Sequence, residues 1–349
     1  MQRKLRIGIN GLGRIGRQIF KLVLNEENIQ VVGINEINTD INNWAYMLNF
    51  DSIYGKLENK VIAKDNKLAI NNNEIKTSSC NNIKEIPIEE WDIDIMVDCT
   101  GILDNVINAK DLINNKKVKK ILITHSPEEV DFTMILGVNE HLYNAKKQNI
   151  IASSICDATA IAPVTKLIND QFSIKNGFVT TLHPWLSYQN LMDGPSSSWS
   201  VPGKVYHHYA LGRSAISGLI PKPTSALDAV FRVLPQINPS KIGSFSYRTP
   251  TQIVGSADIT YYLEKEVSKS TLLDIFYKFE NSQKYPILKI TDEPLISNDY
   301  IGEKFSAILD LRWLEVIDKK LIKLVLWYDN ELGYSYNVLN QLKFIYSQF

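Results

Sequence analysis

The sequence predicts an α/β chain: a doubly wound parallel sheet first, then an α+β domain that carries the chemistry. Three observations predict it. A short apolar strand, Leu5 to Asn10, runs into Gly11-Leu12-Gly13-Arg14-Ile15-Gly16 and then into a helical stretch. Apolar strands and helical segments alternate as far as about residue 155. From about Phe178 the texture changes, with prominent strands and fewer helices.

The elements follow in order. Ile15 to Leu24 reads as the first helix and Gln30 to Asn35 as the second strand. Ile93 to Asp98 and Lys120 to Thr124 read as further buried strands. Beyond the change in texture, Phe178 to His183, Ser244 to Arg248, Ile259 to Leu263 and Ile322 to Trp327 read as strands, and Glu331 to Tyr346 as a closing helix. The expected division is a nucleotide domain over residues 1–155 and a catalytic domain over 156–330. Helix 331–349 is expected to pack back on the first domain.

Composition narrows the function. Lys plus Arg and Asp plus Glu both number 38 in 349 residues, so the net charge is zero and favours neither a nucleic acid nor an anionic membrane as partner. The three cysteines, Cys80, Cys99 and Cys156, are too few and too scattered for a disulfide framework or a zinc site, and no metal is expected. The first residues lack the apolar core of a signal peptide. No apolar run nears the roughly 20 residues that span a bilayer. A cytoplasmic setting is the expectation.

Gly11-x-Gly13-x-x-Gly16 follows a strand and opens a helix, the context that makes this motif a dinucleotide fingerprint of the Rossmann type. Gly11 makes the tight turn, Gly13 lets the backbone approach a pyrophosphate, and Gly16 lets helix and strand pack closely. The phosphates then face free N–H groups at a helix N-terminus. Glu36 follows Gly16 by twenty residues, at the end of the second strand. A carboxylate there accepts bonds from the adenosine ribose and repels a 2′-phosphate, which favours NAD over NADP.

Cys156 sits among small and polar residues, with His183 twenty-seven positions later. A thiol needs help to ionise at neutral pH, and an imidazole supplies it by ion-pairing with the thiolate. Ala158 to Val164 could form a helix whose dipole lowers the thiol further. Either residue alone has a plainer reading, a small buried hydrophobe or a structural histidine. Beside a nicotinamide, the pair suggests oxidation of an aldehyde through a thioester. Cys99 and Cys80 read as structural. His207 and His208, read as adjacent residues on a strand, point to opposite faces and do not share a metal.

These motifs together resemble the glyceraldehyde-3-phosphate dehydrogenase family over nearly the whole chain. Ile7 to Arg17 is similar to the family's opening, including Asn10, Gly11, Gly13, Arg14, Ile15 and Gly16. Asp51-Ser52-Ile53-Tyr54-Gly55 resembles its Asp-Ser-x-His-Gly, with Tyr54 for His. Asp98-Cys99-Thr100-Gly101 and Trp327-Tyr328-Asp329-Asn330-Glu331 resemble two further signatures. The resemblance implies NAD binding, a small aldehyde substrate, a homotetramer and a glycolytic role. It makes Cys156 the nucleophile and His183 the base. By position, Thr100 joins the cofactor site and Asn330 holds the nicotinamide amide. Arg213, Thr224 and Arg248 fall on substrate-phosphate positions.

The sequence departs from the family around the phosphate ligands. The family's Ser-Cys-Thr-Thr reads Ile155-Cys156-Asp157-Ala158, and Leu186 and Tyr188 replace a Thr and an Asp after the histidine. The stretch from Asp193 to Pro221 looks longer than the family's loop and carries Trp199, Tyr206, His207, His208 and Tyr209. Three readings stand at this point: a phosphorylating glyceraldehyde-3-phosphate dehydrogenase, a non-phosphorylating dehydrogenase of another aldehyde such as erythrose 4-phosphate, or a binding protein that keeps NAD without the chemistry.

Overall fold

A computed structural model describes residues 3–71, 73–115, 117–198, 204–205 and 207–349. The chain divides into two compact units. One comprises the chain up to Thr133, Tyr143–Ser153 and Val338–Phe349; the other comprises Met134–Leu142 and Ser154–Asn337. Trp199 and Tyr206 lie outside the described residues.

The first unit is built on a nine-stranded sheet. Its order is Phe132–Thr133, Ile150–Ala152, Lys120–Ile123, Ile95–Asp98, Leu5–Asn10, Ile29–Asn35, Asn73–Ser78, Lys67–Ile70, Ile62–Lys64. The first seven strands are parallel, and the last two pairings, Asn73–Ser78 with Lys67–Ile70 and Lys67–Ile70 with Ile62–Lys64, are antiparallel. Parallel strands need crossovers, and their inner strands are apolar on both faces, as in the fully buried Ile95–Asp98 and Lys120–Ile123. The first crossover is Arg14–Val23, which buries Gly16, Ile19, Phe20 and Val23. It starts one residue before the expected Ile15, because Gly13 takes the cap position. The C-terminal residues belong to this unit: Lys343 pairs with Glu26 at 2.7 Å, and the Phe344 ring lies 6.1 Å from that of Tyr143.

The second unit holds an eight-stranded mixed sheet. Its path is Ile220–Lys222, Ile242–Thr249, Ile174–Pro184, Gly255–Leu263, Leu321–Tyr328, Ala307–Asp310, Leu288–Thr291, with Glu315–Ile317 on the Leu321–Tyr328 strand. Helix Cys156–Phe172 covers it with small side chains, and Ala158, Ala160, Ile161 and Val164 join one core with Val179, Ala257, Ile259 and Leu324. Ile135 and Val138 enter the same core, which draws the short Met134–Leu142 segment into this unit. The closing helix begins at Leu332 rather than Glu331. The Asp329 carboxylate fixes that start by accepting the N–H groups of Glu331 and Leu332 at 3.0 and 2.8 Å.

Among the described residues, no helix is long and apolar enough to cross a membrane.

Candidate active site

The dinucleotide loop sits at the C-terminal ends of three neighbouring parallel strands. Asn10 ties them together: its Nδ2 donates to Asp98 at 2.9 Å, and its Oδ1 accepts from Asn35 Nδ2 at 2.8 Å. Asn10 is buried and joins the three strand ends. Thr100 donates to the same Asp98 at 2.9 Å. Burial raises the Asp98 carboxyl to about 7, against the pull of the Thr100 and Asn10 bonds.

The three glycines have distinct reasons. Gly11 holds φ +93, which favours a residue without Cβ. A Cβ on Gly16 would stand 2.1 Å from the Gly11 carbonyl oxygen. A Cβ on Gly13 would meet nothing within 4 Å, and no side chain caps the helix that starts beside it. Gly13 therefore leaves open space at an uncapped helix N-terminus, which fits the NAD pyrophosphate. Glu36 accepts the Leu12 N–H at 2.7 Å and the Asn38 N–H at 3.2 Å, so its carboxylate is held at the loop. Arg14 is engaged by Asp51 at 2.9 Å, and Ile15 lies in the first turn of the helix. Asp51 also accepts the N–H groups of Ile53 and Tyr54, which explains that motif as a brace for Arg14.

The second unit brings Cys156, Asp157, His183 and Arg248 together. Cys156 is the first residue of its helix, after an extended Ile155 and a Ser154 forced to φ +64. Strain of that kind gathers at functional sites. The Tyr334 hydroxyl donates to the Ser154 carbonyl at 2.9 Å and holds this turn. Cys156 Sγ lies 3.4 Å from His183 Nε2 and 3.5 Å from Asp157 Oδ1. Asp157 Oδ1 is 3.8 Å from His183 Nε2 and accepts the Tyr328 hydroxyl at 2.8 Å. On the other side of the ring, His183 Nδ1 is 2.7 Å from the Pro184 carbonyl and 2.6 Å from Arg248 Nη1. Arg248 Nη1 also donates to the Pro184 carbonyl at 2.9 Å, while its Nε is buried without a partner.

Burial works against the expected thiolate–imidazolium pair before substrate enters. Burial, with the Asp157 charge, pushes the Cys156 thiol well above its usual value, against the Asp157 N–H and Arg248. Burial lowers His183 to about 4, with Asp157 opposing and Arg248 assisting. Both directions favour a neutral thiol beside a neutral imidazole. The helix N-terminus favours the thiolate, and burial opposes it there. Cys99 is held far above the usual thiol range by burial and by Asp98, in line with a structural role. Cys80 donates to the Glu85 carbonyl at 3.4 Å.

Lys222 is a residue that the sequence reading missed. In the sheet Lys222 pairs with Ser246, and Ser246 with Thr181; in the next such row Ile220 pairs with Arg248, and Arg248 with His183. Residues two apart on a strand share a face, so Lys222 belongs to the face of His183 and Arg248. Burial and then the Arg248 charge lower its ammonium to about 8, against Asp157 and Cys156. The available signal was its place two residues before Thr224. Thr224 itself accepts the Ala226 N–H at 3.1 Å, starting a helix.

Two further expected residues have partners within the chain. The Arg213 side chain is 71% exposed and pairs with Asp193 at 2.6 Å, both on the long loop. Asn330 is buried and accepts the Val254 N–H at 3.0 Å, holding a residue with φ +69. His207 and His208 lie outside any strand, which corrects the alternation argument made for them. Among the described residues, the group of ligand-type side chains close enough to share a metal is Cys156, Asp157 and His183.

Residues 5–106 match the family described as glyceraldehyde 3-phosphate dehydrogenase, NAD binding domain, and residues 155–330 match its C-terminal domain. The chain is 32% identical over 341 residues to a glyceraldehyde-3-phosphate dehydrogenase of Priestia megaterium, covering 98% of each. It is 33% identical over 344 residues to that of Geobacillus stearothermophilus, covering 99% of each. It is 34% identical over 340 residues to glyceraldehyde-3-phosphate dehydrogenase 1 of Trichormus variabilis, covering 97% of this chain and 95% of the other. With both halves matched in order and the dinucleotide loop intact, the chain belongs to the glyceraldehyde-3-phosphate dehydrogenase family of NAD-dependent dehydrogenases.

Proposed function

We propose that the chain oxidises an aldehyde, of the glyceraldehyde 3-phosphate kind, through a thioester on Cys156. The carrying observation is the 3.4 Å approach of Cys156 Sγ to His183 Nε2 at the first residue of a helix. His183 takes the thiol proton at Nε2 as sulfur bonds to the carbonyl carbon. This needs the tautomer with Nδ1–H donating to the Pro184 carbonyl, 2.7 Å away. The helix N-terminal amides face the oxygen that gains charge. NAD, if bound, would supply the hydride acceptor for the hemithioacetal carbon. His183 returns the thiol proton to the carbonyl oxygen, which completes the hemithioacetal, and takes it back as the hydride leaves and the thioester carbonyl re-forms.

Arg248, with its unpartnered buried Nε, and Lys222 supply the positive charge for a substrate phosphate. Thr224 follows on the same segment and contributes its hydroxyl. Arg213 engages phosphate only if it leaves Asp193.

Acyl release is the point of departure from the family. A buried carboxylate 3.5 Å from the sulfur repels inorganic phosphate but tolerates neutral water. We therefore expect weak phosphate dependence and substantial free acid. The test is NADH formation across a phosphate titration, with the product identified by mass spectrometry. Strict phosphate dependence and a pure acyl phosphate would instead assign the ordinary phosphorylating reaction. An aldehyde panel that includes erythrose 4-phosphate separates the substrate alternatives. A homotetramer and a cytoplasmic, glycolytic setting are part of the same proposal, and native mass spectrometry checks the first.

A further inference from the structure

We propose that Cys156, Asp157 and His183 form a binding site for a zinc-type cation, which closes the enzyme reversibly. It goes beyond the dehydrogenase reading and does not depend on turnover. The three donor atoms make a near-equilateral triangle: 3.4 Å from Sγ to Nε2, 3.5 Å from Sγ to Oδ1 and 3.8 Å from Oδ1 to Nε2. Tetrahedral zinc holds sulfur at about 2.3 Å and nitrogen or oxygen at about 2.0–2.2 Å. Donors on such a tetrahedron are separated by about 3.3–3.6 Å, so the triangle needs only a few tenths of an ångström of adjustment. One thiolate, one imidazole and one carboxylate leave the fourth position open, the pattern of three-ligand zinc centres.

The surroundings act as a supporting shell. Tyr328 donates to Asp157 Oδ1 at 2.8 Å and orients the carboxylate. His183 Nδ1 lies between the Pro184 carbonyl at 2.7 Å and Arg248 Nη1 at 2.6 Å; a metal on Nε2 selects the tautomer whose Nδ1–H donates to that carbonyl. Arg248 then donates to that carbonyl's second lone pair. The His183 and Asp157 side chains are only 10% and 8% exposed, so little water competes. Two anionic ligands neutralise the dication, while Arg248 and Lys222 oppose it and set a limit on affinity. The thiol bond to hydrogen is exchanged for a bond to the metal, and one proton leaves to solvent. No electron is transferred. The metal occupies both the sulfur and the Nε2 lone pair that the thiol proton needs, so the bound enzyme cannot turn over.

Cobalt(II) titration of the chelator-treated full chain tests this. The expected spectrum contains a thiolate-to-cobalt charge-transfer band and tetrahedral d–d bands, saturating at one metal per chain, with one proton released in weak buffer. Zinc(II) should displace the cobalt and stop NADH formation, and a chelator should restore it. Asp157→Thr, checked for folding by circular dichroism, should weaken cobalt binding at least about tenfold. Absence of the thiolate band in the parent protein overturns the site. So does a folded Asp157→Thr protein that binds cobalt as tightly as the parent. The spectrum reads the site even if the enzyme's aldehyde differs from the one proposed.

Discussion

The hydroxyl of Tyr328 donates to Asp157 Oδ1 at 2.8 Å, joining the end of a sheet strand to the second residue of the Cys156 helix. Both groups are buried. The bond holds a carboxylate against the thiol and the imidazole, where the family places a hydroxyl residue.

Removing that donor should cost stability. Tyr328→Phe leaves a buried carboxylate short of a partner, a loss of about 1–3 kcal/mol. Asp157→Asn with Tyr328→Phe should be less than additive, since the two share one bond. Thermal melts of the single and double variants measure this. Full additivity would mean that the contact carries no coupling.

Acid should act on His183 late. Its folded value of about 4 lies below the usual 6.5 because of burial. The base therefore stays neutral through mildly acid pH, and the acid limb of kcat should lie near 4. Stability follows the same shift. Between 6.5 and about 4 the unfolded chain takes up a proton that the folded site refuses, so stability is full above 6.5 and falls as pH drops through that window. His125, also lowered to about 4 by burial, adds to the fall with the same sign. Melting temperatures from pH 4 to 7 and a kcat profile check both statements. An acid limb centred at 6.5 would contradict them.

Lys222 should govern affinity for an anionic aldehyde. Lys222→Thr is expected to raise KM for glyceraldehyde 3-phosphate about tenfold or more, the worth of one charge-assisted bond. It should leave KM for an uncharged aldehyde nearly unchanged. In the parent protein, KM for the phosphorylated substrate should rise as pH passes about 8, where Lys222 loses its charge. Equal effects on both aldehydes would remove Lys222 from the anion site.

The second and third glycines of the nucleotide loop should separate packing from binding. Gly16→Ala puts a methyl 2.1 Å from a backbone oxygen and should lower the melting temperature. Gly13→Ala meets nothing within 4 Å in the protein, so stability should hold while NAD affinity falls. Calorimetry on both variants distinguishes them. Unchanged NAD affinity in Gly13→Ala would mean that the pyrophosphate does not approach there.

Much of this was legible in the sequence because the signals were local. A strand, a glycine turn and a helix in succession place Gly11, Gly13 and Gly16 without tertiary information. The roles of Asn10 and Asn330 were less visible. Both lie in matching motifs, yet their side chains hold strand ends and a strained turn, contacts set by partners 25 and 76 residues away. Lys222 was overlooked because its meaning depends on which strand its own strand pairs with. The opposing pull on the thiol pair is not legible in the sequence for a similar reason. Helix position and imidazole are sequence features, whereas the burial that outweighs them belongs to the folded core.

The central claim is that Cys156 carries the chemistry. The most direct measurement is NADH formation by Cys156→Ser, with NAD affinity determined on the same preparation. The account predicts no NADH above background and an NAD dissociation constant equal to that of the parent. Parent-level NADH formation by the serine variant would contradict it.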